Sequence, residues 1–362
     1  MTAVDDLVVL RPEGLYCPPG DFYIDPWRPV ERAVITHAHA DHARPGHAHY
    51  LASARSTGVL RARLGDITIQ PLAYGETVHH RGVAVSLHPA GHVLGSAQVR
   101  IEHEGRVWVA SGDYYASGAG DHNATCDAFE PLRCDCFITE STFGLPIYRW
   151  RAQAEVFAEI DAWWRGNAAA GRPSLLMGYS FGKAQRILAG VDAGIGPIFV
   201  HGAVESLNRA YREEGVALPT TRLVTDVADR NDFKTALIVA PPSVQGSVWT
   251  RRFASVGEGA SDAFASGWMQ LRGARRRRGV DRGFVLSDHA DWPGLQRAIA
   301  ATGAERVIVT HGYEAVMVRW LREQGREAGA FRTEYGDDAL DEPVSDIPNA
   351  AAETNVAGHP PP

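Results

Sequence analysis

The stretch from Thr36 to Gly46 reads Thr-His-Ala-His-Ala-Asp-His-Ala-Arg-Pro-Gly, so His37, His39, Asp41 and His42 offer three imidazoles and a carboxylate within six residues. Neutral imidazole nitrogen and carboxylate oxygen are ligands that zinc and its neighbours among the divalent metals accept readily. His37 and His39 are two apart and face the same way only in extended chain, so they are expected to leave a strand end and share one ion. Asp41 and His42 are adjacent and from a turn would aim at a different point. One loop can therefore serve two ions roughly 3.5 to 4 Å apart, an arrangement that activates a bridging hydroxide and stabilises both oxygens of a displacement at phosphorus. The rival reading is a histidine-rich surface loop that picks up metal adventitiously.

Further ligand types follow in order and weaken that rival. His92 sits in Pro-Ala-Gly-His-Val-Leu-Gly-Ser-Ala, a glycine-bounded loop after an apolar strand, and Asp113 closes Ser-Gly-Asp after another. Phe137-Ile138-Thr139 runs into Glu140, Phe284-Val285-Leu286 leads to Ser-Asp-His289-Ala-Asp, and Arg306 to Val309 leads to Thr-His311-Gly. Loops at strand ends are where catalytic ligands are usually presented. Taken singly, Asp113 reads as a turn residue and either late histidine as a core residue. Their sequence behind the first loop turns all three into candidate site residues, with Asp113 suited to bridge two ions.

The elements that must position these residues read as strands and tight turns over Leu7–Ile24, a strand at His49–Ser53, a short helix at Ser56–Leu64, and strands at Ile67–Leu72 and Val83–His88. A hairpin follows at Gln98–Glu102 and Val107–Ala110. Arg151–Arg165 is an amphipathic helix. Beyond it, apolar strands at Ser174–Tyr179, Ile198–His201, Leu223–Val227 and Ala236–Ala240 alternate with helices at Lys183–Val191 and Val204–Glu213, the pattern of a largely parallel sheet. The expected organisation is a first domain part over 1–165, an inserted α/β domain over 166–275, a return to the first domain over 276–335, and an acidic, disordered tail over 336–362.

With 362 residues, 45% hydrophobic and 22% charged, the chain has the composition of an ordinary globular protein with a substantial core. No apolar run approaches the roughly 20 residues of a membrane span, and the first ten residues lack the pattern of a secretory signal, so the expected location is the cytoplasm. Cys17, Cys126, Cys134 and Cys136 form no C-x-x-C pair, and buried reduced thiols are expected, with Cys134 and Cys136 on a strand.

The net charge of −7 is concentrated at the end: Asp337, Asp338, Asp341, Glu342, Asp346 and Glu353 follow Gly336 with no Lys or Arg among them. The rest of the chain is near neutral, and Arg251, Arg252, Arg272, Arg275 to Arg278 and Arg282 cluster ahead of the Ser-Asp-His motif. Such a cluster, Arg275 and Arg276 included, suits a phosphate backbone, or else forms a solvated face. Ser180 precedes a Gly-Lys helix start and could present backbone N–H groups with Lys183 to a substrate phosphate; the alternative is a surface lysine at a helix start.

The combination H-x-H-x-D-H, then Gly-His, then Gly-Asp, resembles the metallo-β-lactamase superfamily. The resemblance implies an αββα sandwich with metals at the sheet edges, and the fold alone leaves the substrate open. Glu140, His289 and His311 look like the three signature positions of the β-CASP nucleases, the nucleic-acid-processing branch, in which an α/β domain with a parallel sheet is inserted. By that resemblance His37, His39, His92 and Asp113 hold one ion and Asp41, His42, Asp113 and His311 the other, both zinc, with manganese as the alternative. Asp41 would also orient the attacking hydroxide, His289 would act as general acid and Glu140 would orient it.

Glu-Ser-Thr-Phe-Gly-Leu-Pro-Ile-Tyr-Arg-Trp (140–150), Phe-Gly-Lys-Ala-Gln-Arg (181–186), Pro-Pro-Ser-Val-Gln-Gly (241–246) and Ser-Gly-Trp-Met (266–269) look like the bacterial ligase-associated DNA exonucleases. These are encoded beside an ATP-dependent DNA ligase and a large helicase and are often catalogued as mRNA 3′-end processing factors. The resemblance spans residue 7 to about 335 and implies a DNA exonuclease of damage repair, with that ligase and helicase as partners. His311 occupies a position that is typically valine in eukaryotic DNA-acting members and histidine in RNA-acting ones, which keeps an RNA-processing nuclease as the alternative. A non-catalytic nucleic-acid-binding scaffold is a second alternative, disfavoured because every expected ligand is present.

Overall fold

The computed structural model describes residues 6–116, 118 and 121–335, so the expected tail over 336–362 lies outside the described residues. The chain first lays down a six-stranded sheet in sequence order: β1 (Val9–Arg11), β2 (Gly14–Cys17), β3 (Phe22–Ile24), β4 (Arg32–Ile35), β5 (His49–Ser53) and β6 (Ile69–Leu72). β7 (Thr77–His80), β8 (Val83–Pro89), β9 (Ala97–His103), β10 (Arg106–Ala110) and β11 (Cys136–Ser141) build a second sheet. The chain then leaves for a third sheet, β12 (Ser174–Met177), β13 (Ile198–Val200), β14 (Arg222–Leu223), β15 (Leu237–Ala240), β16 (Ser261–Ala265) and β17 (Arg282–Phe284), all of whose pairings are parallel. It returns as β18 (Arg306–Gly312) and β19 (Glu327–Ala330), which complete the second sheet in the order β19-β18-β11-β10-β9-β8-β7.

The helices are α1 (Thr57–Leu64), α2 (Gln153–Ala169), α3 (Lys183–Gly190), α4 (Gly202–Glu213), α5 (Val248–Arg251), α6 (Arg272–Arg278), α7 (Trp292–Thr302) and α8 (Glu314–Glu323). Leu15, Ile24 and Val34 of the first sheet pack on Val85, Val99, Ile138 and Ile308 of the second, which makes the inner core of a sandwich. Leu295, Ile299, Met317 and Leu321 of α7 and α8 cover the outer face of the second sheet, and Val59 and Leu60 of α1 with Leu207 and Tyr211 of α4 cover that of the first. The result is an αββα sandwich. The parallel sheet has α2, α3 and α4 on one face and the segments around Phe233, Phe253, Met269 and Ala274 on the other.

This third sheet includes β17, and α2 packs Val156, Ile160, Trp163 and Trp164 against it. β17 and most of α2 lie outside the span 166–275 expected for the insert, because apolar faces rather than composition decide where an element docks. The strand expected at 223–227 is two residues long and then turns into a 3₁₀ segment, Val224–Asp226. Cys134 precedes β11 rather than lying in it, and all four cysteines are free, with Cys17 and Cys136 buried and the other two half-buried. No described helix is long and apolar enough to cross a membrane.

Candidate metal centre

Parallel strands bring their carboxyl-terminal ends to one edge, and β10, β11 and β18 are parallel neighbours in register, Ala110 opposite Ile138 and Ile138 opposite Ile308. That edge carries Asp113 just past β10, Glu140 inside β11 and His311 inside β18. β4 of the facing sheet ends at Ile35, and His37 and His39 follow in the loop just past it. His39 then accepts backbone hydrogen bonds from His42 and Ala43, which is the turn that aims His42 elsewhere. Gly112 makes the approach possible: its φ is +56°, and a Cβ there would lie 2.7 Å from Thr36. His92 arrives from the loop between β8 and β9.

Asp113 is the hub. Its Oδ2 lies 3.4 Å from His37 Nε2, 3.5 Å from His42 Nε2 and 3.9 Å from His92 Nε2, while its Oδ1 lies 3.2 Å from His311 Nε2. His92 Nε2 is 3.0 Å from His39 Nδ1, and His42 Nε2 is 3.6 Å from Asp41 Oδ2. His37, His92 and Asp113 are buried, as are His42 and His311, whereas His39 and Asp41 are half-exposed and mark the open side. His37 Nε2 and His42 Nε2 are buried without a hydrogen-bond partner. Ring nitrogens converging on one carboxylate with nothing between them are what a cation fits, once any proton on them has left. Among the described residues four groups of ligand atoms are close enough to hold an ion, and two of them match the expected sites: His37, His39, His92 and Asp113, and His42, Asp113 and His311, the expected fourth ligand Asp41 lying outside all four.

Burial opposes charge on His42, yet the carboxylates of Asp113, Asp41 and Asp25 hold its pKa up to about 10. Burial, with His42 alongside, pushes His37 well below the usual imidazole value, and burial with His289 nearby pushes His92 down to about 4. Burial works against the charged Asp113, but His42, His311 and His37 hold its carboxyl well below the usual carboxylate range. His37 and His92 are thus already in the neutral form that a metal requires.

A second layer fixes these rings. Asp25 Oδ2 accepts from His42 Nδ1 at 2.7 Å and from Thr36 Oγ1 at 2.5 Å, and Asp25 Oδ1 accepts from the Thr36 N–H. Tyr335 stacks on His42 with ring centroids 4.3 Å apart and 20° between planes, and lies edge-on to His311. The Asp288 carbonyl accepts from His92 Nδ1 at 2.8 Å. Asp25, Tyr335 and Asp288 were not among the sequence candidates; Asp25 stands alone between Ile24 and Pro26 and Tyr335 is not itself a common metal-ligand type, so only the fold reveals their partners.

Glu140 and His289 form a separate buried pair, His289 Nδ1 lying 3.0 Å from both carboxylate oxygens. Glu140 also accepts the Tyr114 N–H at 2.8 Å, and its oxygens lie within 4.8 Å of a ligand atom of Asp113. His289 stands in the loop that follows β17 and does not itself end a strand. Its ring centroid is 6.0 Å from Phe143, which packs on Trp268 at 4.7 Å; Trp268 belongs to the segment that leads into α6.

The remaining candidates spread out. Ser180 is half-buried in the loop before α3, next to Phe181, whose ring centroid is 5.0 Å from His39. The N–H groups that this helix start was expected to offer are used internally: Gly182 donates to Gln185 Oε1, Lys183 to the Phe181 carbonyl and Ala184 to the Tyr179 carbonyl. Lys183 is buried, not on the surface, and its Nζ is 2.8 Å from Asp288 Oδ2. Arg275 and Arg276 lie in α6, where Arg276 is exposed.

No family model matches the chain. Over 321 residues, 88% of the chain, it is 32% identical to a protein named probable DNA ligase from Opitutus terrae, covering 30% of that protein. It is 27% identical over 197 residues to the ribonuclease TTHA0252 of Thermus thermophilus, covering 46% of this chain and 44% of that one. It is 31% identical over 124 residues to the endoribonuclease YSH1 of Saccharomyces cerevisiae, covering 34% and 15%. The chain therefore spans less than half the length of each of these relatives. A solved protein of unknown function from Enterococcus faecalis V583 shares the fold, with a TM-score of 0.55 at 11% identity over 84% of this chain and 80% of that one.

Proposed function

The chain belongs to the β-CASP branch of the metallo-β-lactamase superfamily, and on that premise we propose that it is a metal-dependent phosphodiesterase acting on nucleic acid, a DNA exonuclease of damage repair. The observation that carries the reading is the convergence of four imidazoles on Asp113, with a buried histidine–carboxylate pair alongside. His37, His39, His92 and Asp113 would hold one divalent ion and Asp41, His42, Asp113 and His311 a second, both of the zinc or manganese class. Bound there, the ions supply charge neutralisation at a phosphate and a water of lowered pKa.

The chain's own residues do the rest. Asp41, on the open side, orients the attacking water. Glu140 occupies His289 Nδ1, which leaves Nε2 to carry the proton that the departing oxygen takes up. Glu140 is a positioning residue, held in turn by the Tyr114 N–H. Ser180, next to Phe181, and Arg275 and Arg276 of α6 would contact the phosphate backbone of the substrate.

A role beside an ATP-dependent DNA ligase and a helicase, in the cytoplasm, is part of the same reading; the match to a probable DNA ligase supports the ligase, because the region alike to this chain lies within that longer protein. The matches to a ribonuclease and an endoribonuclease favour the second reading, an RNA-processing nuclease. Purified protein loaded with Zn²⁺ or Mn²⁺ and given matched DNA and RNA strands labelled at one end separates them. Stepwise shortening of DNA alone is expected; cleavage of RNA alone establishes the second reading, and a metallated preparation inert on both ends the nuclease reading.

A further inference from the structure

The helix α3 of the parallel sheet sends two cations into the sandwich. Lys183 Nζ is 2.8 Å from Asp288 Oδ2 and Arg186 Nη1 is 3.1 Å from Asp288 Oδ1, with the three side chains 3%, 2% and 4% exposed. Arg186 also donates to the Ser287 carbonyl and to Gln153 Oε1, and its guanidinium lies 4.5 Å from the centre of the Tyr115 ring, two residues past Asp113. Gly182 seats the helix start against the His92 loop: a Cβ there would come within 2.3 Å of Val93 Cγ1.

Such a buried cluster is not explained by stability. Two cations and one carboxylate cost much desolvation, and apolar replacements of like volume are often neutral or stabilising. What the cluster does fix is the backbone at 287–288. The Asp288 carbonyl can only accept, so the ring nitrogen 2.8 Å away, His92 Nδ1, carries the proton and Nε2 is left with its lone pair. That Nε2 lies 3.0 Å from His39 Nδ1 and 3.9 Å from Asp113 Oδ2.

We propose that Lys183 and Arg186 are positioning residues for the metal centre: they clamp Asp288 so that its carbonyl holds His92 in the Nδ1–H form with Nε2 toward the ion site shared with His37, His39 and Asp113. The parallel sheet thereby completes a ligand set that the sandwich alone leaves loose. The inference rests on the metal reading above, and partners of this kind change metal affinity by roughly 10- to 100-fold.

The test uses the full chain, stripped of metal: wild type, Lys183→Met, Arg186→Met, Lys183→Arg and Asp288→Asn, each checked for folding by near-ultraviolet dichroism. Zn²⁺ uptake is measured against a chromophoric chelator, and the His92 ring N–H by NMR of histidine-labelled protein without metal. The wild type is expected to take two ions and to display a protected His92 Nδ1–H. Lys183→Met and Arg186→Met should keep one ion at wild-type affinity, bind the other about 10- to 100-fold more weakly, and lose the protected ring proton. Lys183→Arg, which retains a cation opposite Asp288, should recover both. If Lys183→Met does not fold, Asp288→Asn, which keeps the carbonyl and nearly the same volume, should reproduce the single-site loss. Wild-type affinity at both sites with the ring proton intact in both methionine variants overturns the proposal. A wild type that takes up no ion instead overturns the metal reading, and the ring proton alone then decides the clamp.

Discussion

Asp113 faces four imidazoles from three separate segments, the loop after β4, the loop after β8 and the end of β18, and the proton inventory of that cluster has a measurable consequence. His42 is held up to about 10 in the ion-free site, so it is protonated at neutral pH and an incoming cation must displace that proton. Because the raised pKa means the competing proton is lost only on the alkaline side, metal affinity should climb as pH rises toward about 10. Calorimetry at pH 7 in buffers of different ionisation enthalpy should register about one proton released on loading; no release would remove His42 from the ligand set. His289→Ala should retain both ions and slow single-turnover cleavage by roughly 10² to 10⁴ fold, and an unimpaired variant would remove His289 from the chemistry. The candidate ligands that gather round Asp113 were legible because metal ligand types recur in fixed order at strand ends. Asp25 was not, since one acid after a short strand looks like a turn residue until Thr36 and His42 close on it.

At the level of elements, the close contact of β11 with β18 depends on Gly312. Its φ is +84°, and a Cβ would meet the Ser141 carbonyl oxygen at 2.3 Å. Gly312→Ala should therefore destabilise the chain by at least the roughly 1–3 kcal/mol of a strained backbone, read by denaturant unfolding, and should weaken metal binding at His311 as the strand end shifts. The alternation of strands and helices after Arg165 gave the parallel sheet from sequence, since apolar runs separated by helical stretches have few other solutions. Its β16 went unread: Ser261-Asp262-Ala263-Phe264-Ala265 is short and only partly apolar, yet it pairs on both edges, with β12 and β17. Its place is set by neighbours rather than by its own pattern. Lys183 was misread for a related reason, because a lysine at a helix start is ordinarily solvated and only docking of α3 on the sandwich buries it.

Across the whole molecule, the acidic total conceals a local basic surface. Arg276 and Arg277 are exposed on α6, and replacing both by alanine should weaken polynucleotide binding whatever the sequence. The slope of log affinity against log salt should fall by roughly 1 to 2 units, followed by fluorescence anisotropy across a salt series; an unchanged slope would place the phosphate path elsewhere. Tyr335 adds a constraint of another kind. The ring that backs His42 is encoded roughly 300 residues after it, and His311 nearly as late. At about 5–20 residues per second, a ribosome exposes the histidines of the first loop for roughly 15 to 60 s before either arrives. On the metal reading, the nascent chain thus carries an incomplete chelator until His311 and Tyr335 have been added, and selective uptake of the correct ion has to wait for them.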